Sequence, residues 1–130
     1  MRAAIIAKIA EIVAFNNRVY QAYLAPDDLT NPYCTVKMTG ETPAIENQLG
    51  GVADVQVFIY TSPNDFVDID DLAIAVRNKL DHVDLTYDVG PPVAKLRTLF
   101  VQTVDDIYDP DRDLISKRVD FNYYLTRPGN

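Results

Sequence analysis

The chain has 130 residues, 48% of them hydrophobic, with five phenylalanines and eight tyrosines. That is enough apolar material for the core of one domain spanning residues 1–130, and too much for a disordered segment. Nineteen acids against twelve bases leave a formal charge of −7, which repels phosphate and disfavours nucleic-acid binding unless the few bases cluster.

No apolar run reaches the ~20 residues of a membrane span, and no cleavage-site pattern follows the N-terminus, so a soluble, unprocessed chain is expected. Residues 2–15 read as a helix whose apolar stripe is Ile5, Ile6, Ile9, Ile12 and Val13, with Lys8 and Glu11 on the other side. Asn16 and Asn17 stop it. Arg18 to Leu24 suits either a short extended segment or a further helical turn, and periodicity does not decide. Pro26, Asp27, Asp28, Asn31 and Pro32 make a loop. Tyr33 to Thr39 then alternates as a strand, with Cys34, Val36 and Met38 on one side and Thr35, Lys37 and Thr39 on the other. The twelve residues from Gly40 to Gly51 exceed what a hairpin needs. Such a loop is either a free tip or a segment that orders on a partner.

Val52 to Val83 holds the centre of the pattern. Ala53, Val55, Val57 and Ile59 fall on one side of a pleat, and Val52, Asp54, Gln56, Phe58 and Tyr60 on the other. Pro63, Asn64 and Asp65 break that strand. The period then changes: Ile69, Leu72, Ala73, Val76, Leu80 and Val83 recur every three or four residues, the stripe of an amphipathic helix. Asp68 or Asp65 can cap it, and Asp70 and Asp71 suit the positive end of its dipole.

Asp84 to Pro92, ending in Gly90, Pro91 and Pro92, reads as irregular, with Leu85 and Tyr87 available to pack. Lys95 to Val104 is a strand with apolar residues on both faces, Leu96, Phe100 and Val104 against Leu99 and Val101, which suits a position inside a sheet. Ser116 to Leu125 alternates most cleanly. Val119, Phe121, Tyr123 and Leu125 are expected inward, and Arg118, Asp120, Asn122 and Tyr124 outward on a wet face. Arg127 to Asn130 is a tail. The expected architecture is therefore α+β: one four-stranded, mainly antiparallel sheet with two helices packed on one face, in the order helix, strand, strand, helix, strand, strand.

Chemistry finds little purchase in this pattern. Cys34 is the sole cysteine and lies on a strand, as a buried structural thiol would; there is no intrachain disulfide and no thiolate zinc site. His82, the sole histidine, sits at the last turn of the central helix, where an imidazole favours the negative dipole end. Asp109, Asp111 and Asp113 alternate like the first ligands of a calcium loop. However, the required sixth-position glycine is Leu114, and the twelfth position, Asp120, falls inside a strand. No serine lies in a nucleophile elbow, no glycine loop leads from a strand into a helix, and no spacing singles out a carboxylate pair. No catalytic residue, cofactor or metal ligand is assigned.

The order of features resembles the tail terminator, or tail-completion, proteins of long-tailed bacteriophages and gene transfer agents. An opening helix precedes N-R-V-Y (Asn17 to Tyr20). A proline loop ends in N-P-Y (Asn31 to Tyr33), and a long hairpin follows. Next come the strand D-V-Q-V-F-I-Y (Asp54 to Tyr60) and the helix L-A-I-A-V-R-N-K-L (Leu72 to Leu80), and a late strand pair with an acidic tip closes the chain. The resemblance covers nearly the whole chain, though none of its pieces is a sharp motif.

The resemblance implies a virion protein that forms a ring, usually hexameric, capping the tail tube and joining it to the head connector. It implies no enzymatic activity and no cofactor. Its partners would be copies of itself, the tail tube protein and the connector proteins, with DNA only passing through the bore, no membrane, and assembly in the bacterial host cytoplasm. Six copies would carry roughly −42, and acids lining a bore would let DNA slide. A bore lined by Lys37, Lys95 and Arg97 would contradict that. A head-side neck ring or a tube protein is a neighbouring alternative, and a small acidic ligand- or metal-binding domain is one of another class.

Length and polarity make the 40–51 loop and the 105–113 tip the candidate interfaces. The residues singled out are Glu41, Ile45, Glu46 and Leu49 in the first, and Asp106, Tyr108, Asp109, Asp111 and Arg112 in the second. Deleting Glu41 to Gln48 is expected to leave the fold intact and abolish tail joining.

Overall fold

A computed structural model of the chain describes residues 2–22, 32–38, 55–87 and 94–126. Helix α1 (Arg2–Ile9) is followed by a 3-10 turn (Val13–Phe15) and by strands β1 (Val19–Gln21), β2 (Tyr33–Met38) and β3 (Val55–Thr61). A second 3-10 turn (Pro63–Asp65) leads into helix α2 (Phe66–Leu80), and strands β4 (Val83–Tyr87), β5 (Ala94–Asp109) and β6 (Leu114–Thr126) complete the order.

The six strands form one sheet in the order β1-β2-β3-β6-β5-β4. This overturns the expected four-stranded sheet. The pairing is also mixed, because β1 runs parallel to β2 while every other neighbouring pair is antiparallel. The two additional strands lie where the pattern was weakest. Three residues of β1 carry no readable period, and β4 occupies a stretch that its Gly-Pro-Pro neighbour made look irregular. Val83, assigned to the helical stripe, belongs to β4 instead, since α2 ends at Leu80. Helix α1 packs against both β1 and β4, which stand at opposite ends of the strand order, so the sheet curls around it.

The core lies between the helices and one face of this curled sheet. Ile69, Leu72, Ala73, Val76 and Leu80 of α2 are buried together with Ile5 and Ile9 of α1. They meet Cys34, Val36, Val55, Val57, Ile59, Val119, Phe121 and Tyr123 from the strands. Alternation in β2, β3 and β6 therefore does what it promises on this side. The opening helix is shorter than its stripe suggested: Ile12 still reaches the core, but Val13 is 88% exposed. Asn16 ends the following turn in the left-handed region at φ 47°, and Asn17 takes φ 64°, a conformation asparagine tolerates better than most residues.

Two irregularities shape β5. Its register against β6 slips between Phe100 and Gln102 and again between Val104 and Ile107. Each extra residue bends the strand and reverses which face the next side chain takes. Phe100 pairs with inward Phe121, but Val104 pairs with Arg118 on the far face, so the two do not share a side as the unbroken alternation implied. β5 is interior to the sheet as expected over Ala94 to Thr98, where β4 and β6 flank it; beyond that, the apolar residues on both faces reflect the bulges.

Candidate assembly surface

The sheet face turned away from the helices is not simply wet. Tyr33 of β2 stacks on Tyr60 of β3, with ring centroids 4.7 Å apart and planes at 17°. Asp120, expected outward in solvent, is fully buried there. It accepts hydrogen bonds from Arg118 Nε and Nη2 at 2.8 and 3.1 Å and from Gln102 Nε2 at 2.9 Å. A buried carboxylate needs such a partner set, and alternation alone does not reveal one.

Beside the tyrosine stack, the end of the β5–β6 hairpin and β3 enclose a groove of about 390 Å³, lined by Phe58, Tyr60, Ile107, Tyr108, Leu114 and Arg112 among others. The tip itself is a tight polar turn. Asp109 Oδ1 accepts the backbone amides of Asp111 at 3.0 Å and Arg112 at 3.4 Å, and Tyr108 donates its hydroxyl to Asp113 Oδ1 at 2.9 Å. That bond to a carboxylate pushes the Tyr108 phenol above its usual range. Burial raises the Tyr33 phenol too, with the Arg112 charge working against it.

On the helix side, Lys117 of β6 bridges Asp70 of α2 and Asp106 of β5, the latter at 3.2 Å. These two carboxylates, Asp70 foremost, hold its ammonium above the usual lysine range. Arg77 of α2 places its guanidinium 4.4 Å from the Phe100 ring centre, a cation–π contact that ties the helix to β5.

The sequence-derived interface residues divide. Asp106, Tyr108 and Asp109 lie on the last turns of β5, Asp111 and Arg112 in the tip, and all five gather at one corner of the sheet. Glu41, Ile45, Glu46 and Leu49 fall outside the described residues. The tip also begins later than expected, because β5 continues to Asp109 and the turn is only residues 110–113. Ile107, at 64% exposure, was passed over between acids although it is the most exposed apolar side chain of this corner. Its signal was an isoleucine in a polar run.

Cys34 and His82 lie in different parts of the fold, on β2 and between α2 and β4. Cys34 is buried among core residues, which pushes its thiol far above the usual range. His82 lies two residues beyond the end of α2 rather than in its last turn, at φ 56°, exposed and 2.8 Å from Asp81. Among the described residues no three His, Cys, Asp or Glu side chains come together as a metal site would need, and no helix is long and apolar enough to cross a membrane.

No protein-family model matches the chain, and no curated protein does. Its fold is similar to that of a chain in the structure described as "Virion of native gene transfer agent (GTA) particle", with a TM-score of 0.68. The match covers 96% of this chain and 93% of that one at 18% sequence identity, so it speaks to the fold.

Proposed function

We propose that this chain is a structural component of a virion, and within that class a tail terminator: a ring subunit that caps the tail tube and joins it to the head connector. The observation that carries this reading is the shared fold with a chain of a gene transfer agent particle, which runs over nearly the full length of both. The order of sequence features points the same way. The geometry suits the role, since several of the described polar groups outside the core brace the fold. Arg118 and Asp120 neutralise each other, Lys117 ties three elements, and the tip acids hold their own turn.

A ring of identical subunits is a heterologous assembly, in which one patch meets a different patch of the next copy and rotation closes the circle. The test is to mix purified protein with tail tubes and image them. A ring at one end of each tube supports the terminator reading. Incorporation along the tube, or binding to head connectors alone, transfers the assignment to a tube or neck component, and no association with any of them removes the virion role.

A further inference from the structure

Among the described residues the sheet register places two strand edges with no neighbouring strand, β1 and the far part of β5, at opposite ends of the same rows. Gln21 of β1 pairs with Val36, Val36 with Val57, Val57 with Val119, and Val119 with Thr103 of β5. The row starting at Val19 runs through Cys34 and Ile59 to Lys117, which faces the second bulge of β5 between Val104 and Ile107. β4 covers the outer side of β5 only over Ala94 to Thr98. Beyond it the Phe100 amide is taken by Asp81 Oδ1, and among the described residues no strand lies against Val101 to Asp109. An uncovered edge of this length is a template for another strand.

Direction and apolar surface complement across these two edges, and Arg18 beside β1 would meet an acidic segment of β5 and its tip. β1 points opposite to β5, so a second copy turned about an axis along the strands would present its β1 antiparallel to β5. Exposed apolar side chains mark both sides: Val101, Ile107 and Tyr108 on β5, and Val13 in the turn before β1. Residues 105–113 hold five aspartates and one arginine, net −4, whereas a cation, Arg18, directly precedes β1.

We propose that the β5 edge from Val101 to Asp109 receives the β1 edge, Val19 to Gln21, of a second copy of this chain, continuing the sheet from subunit to subunit. The inference rests on the ring reading above and names the joint that reading leaves open. Antiparallel backbone pairing supplies the register, and the apolar residues and opposite charges select this edge over the covered one.

Two variants test it alongside the wild-type protein, with oligomer mass read in solution and on tail tubes. Gln21→Cys combined with Thr103→Cys is expected to give, on oxidation, a ladder of covalent oligomers where either single variant stops at dimers; buried Cys34 stays out of the reaction. Ile107→Glu with Tyr108→Glu, both on exposed positions, is expected to keep a cooperatively melting fold and lose the oligomer. A wild-type oligomer that survives the glutamate pair, or whose cysteine pair yields no ladder, overturns the β1–β5 joint and leaves the ring reading standing. A wild-type protein that stays monomeric in solution and on tail tubes removes both.

Discussion

Arg118 and Asp120, two residues apart on the same face of β6, grip each other through two parallel hydrogen bonds, Nε to Oδ1 at 2.8 Å and Nη2 to Oδ2 at 3.1 Å. The aspartate is fully buried and the arginine half-buried, so the two partners do not stand to lose equally. Arg118→Met strands a buried carboxylate with only Gln102 beside it and should cost about 3 kcal/mol. Asp120→Asn leaves a guanidinium that still reaches water and should cost about 1 to 2 kcal/mol. Urea unfolding of both single variants and the double variant measures the asymmetry, and equal losses would contradict it.

Phe121 is fully buried, meets Phe100 edge-on with centroids 6.0 Å apart, and faces Val55 across the β3–β6 pair. Phe121→Ala should lower stability by about 3 to 5 kcal/mol, through lost transfer energy and the cavity left behind. Phe121→Leu should recover more than half of that. Chemical denaturation of the pair checks the ratio.

Thr98 donates its hydroxyl to the carbonyl of Leu80, the last residue of α2, in a fully buried position. Thr98→Val keeps the shape and removes the donor, leaving a helix-end carbonyl without that bond. A loss of about 1 to 2 kcal/mol is expected, with Thr98→Ser, which keeps the hydroxyl, losing less despite its smaller side chain.

Asp81 accepts the Phe100 amide at 3.0 Å, and this bond, with help from the neighbouring His82, holds its carboxyl below the ordinary aspartate value against the opposing effect of burial. A depressed carboxyl stabilises the fold above its unfolded-state pKa, about 3.9, and loses that contribution as pH falls through the lower folded value. Asp81→Ala should therefore melt below the wild type at neutral pH, and the gap should narrow as pH drops below about 4. A gap independent of pH would show that the charge plays no part.

Asp109 and Asp113 are already engaged within the tip, by backbone amides and by the Tyr108 hydroxyl. Millimolar calcium should leave the melting temperature unchanged, because binding would have to break that turn. A calcium-dependent rise abolished by Asp111→Asn would favour a metal-binding domain instead.

Much of this molecule could be read from residue order. The alternation of Val55, Val57 and Ile59 and of Val119, Phe121 and Tyr123, and the three-and-four spacing from Ile69 to Leu80, name most of the core. They do so because burial on one face forces a period on the chain. The same period misled at Asp120, whose outward parity is correct but whose burial depends on Arg118 and Gln102 arriving beside it. Of the candidate interface, the acidic run and Tyr108 were visible in the sequence, while Ile107 gained meaning only from its place on an edge that no described strand covers.

By itself the sequence determined the helix-facing side of the sheet and the main helix, since both follow from side-chain type and local spacing. Only the tertiary structure decided that β1 and β4 join the sheet, that β1 runs parallel to β2, and that two bulges turn β5. The physical reason is that strand order, register and free edges are relations between distant backbone segments, and hydrogen bonding between backbones leaves almost no mark on which side chains occupy them.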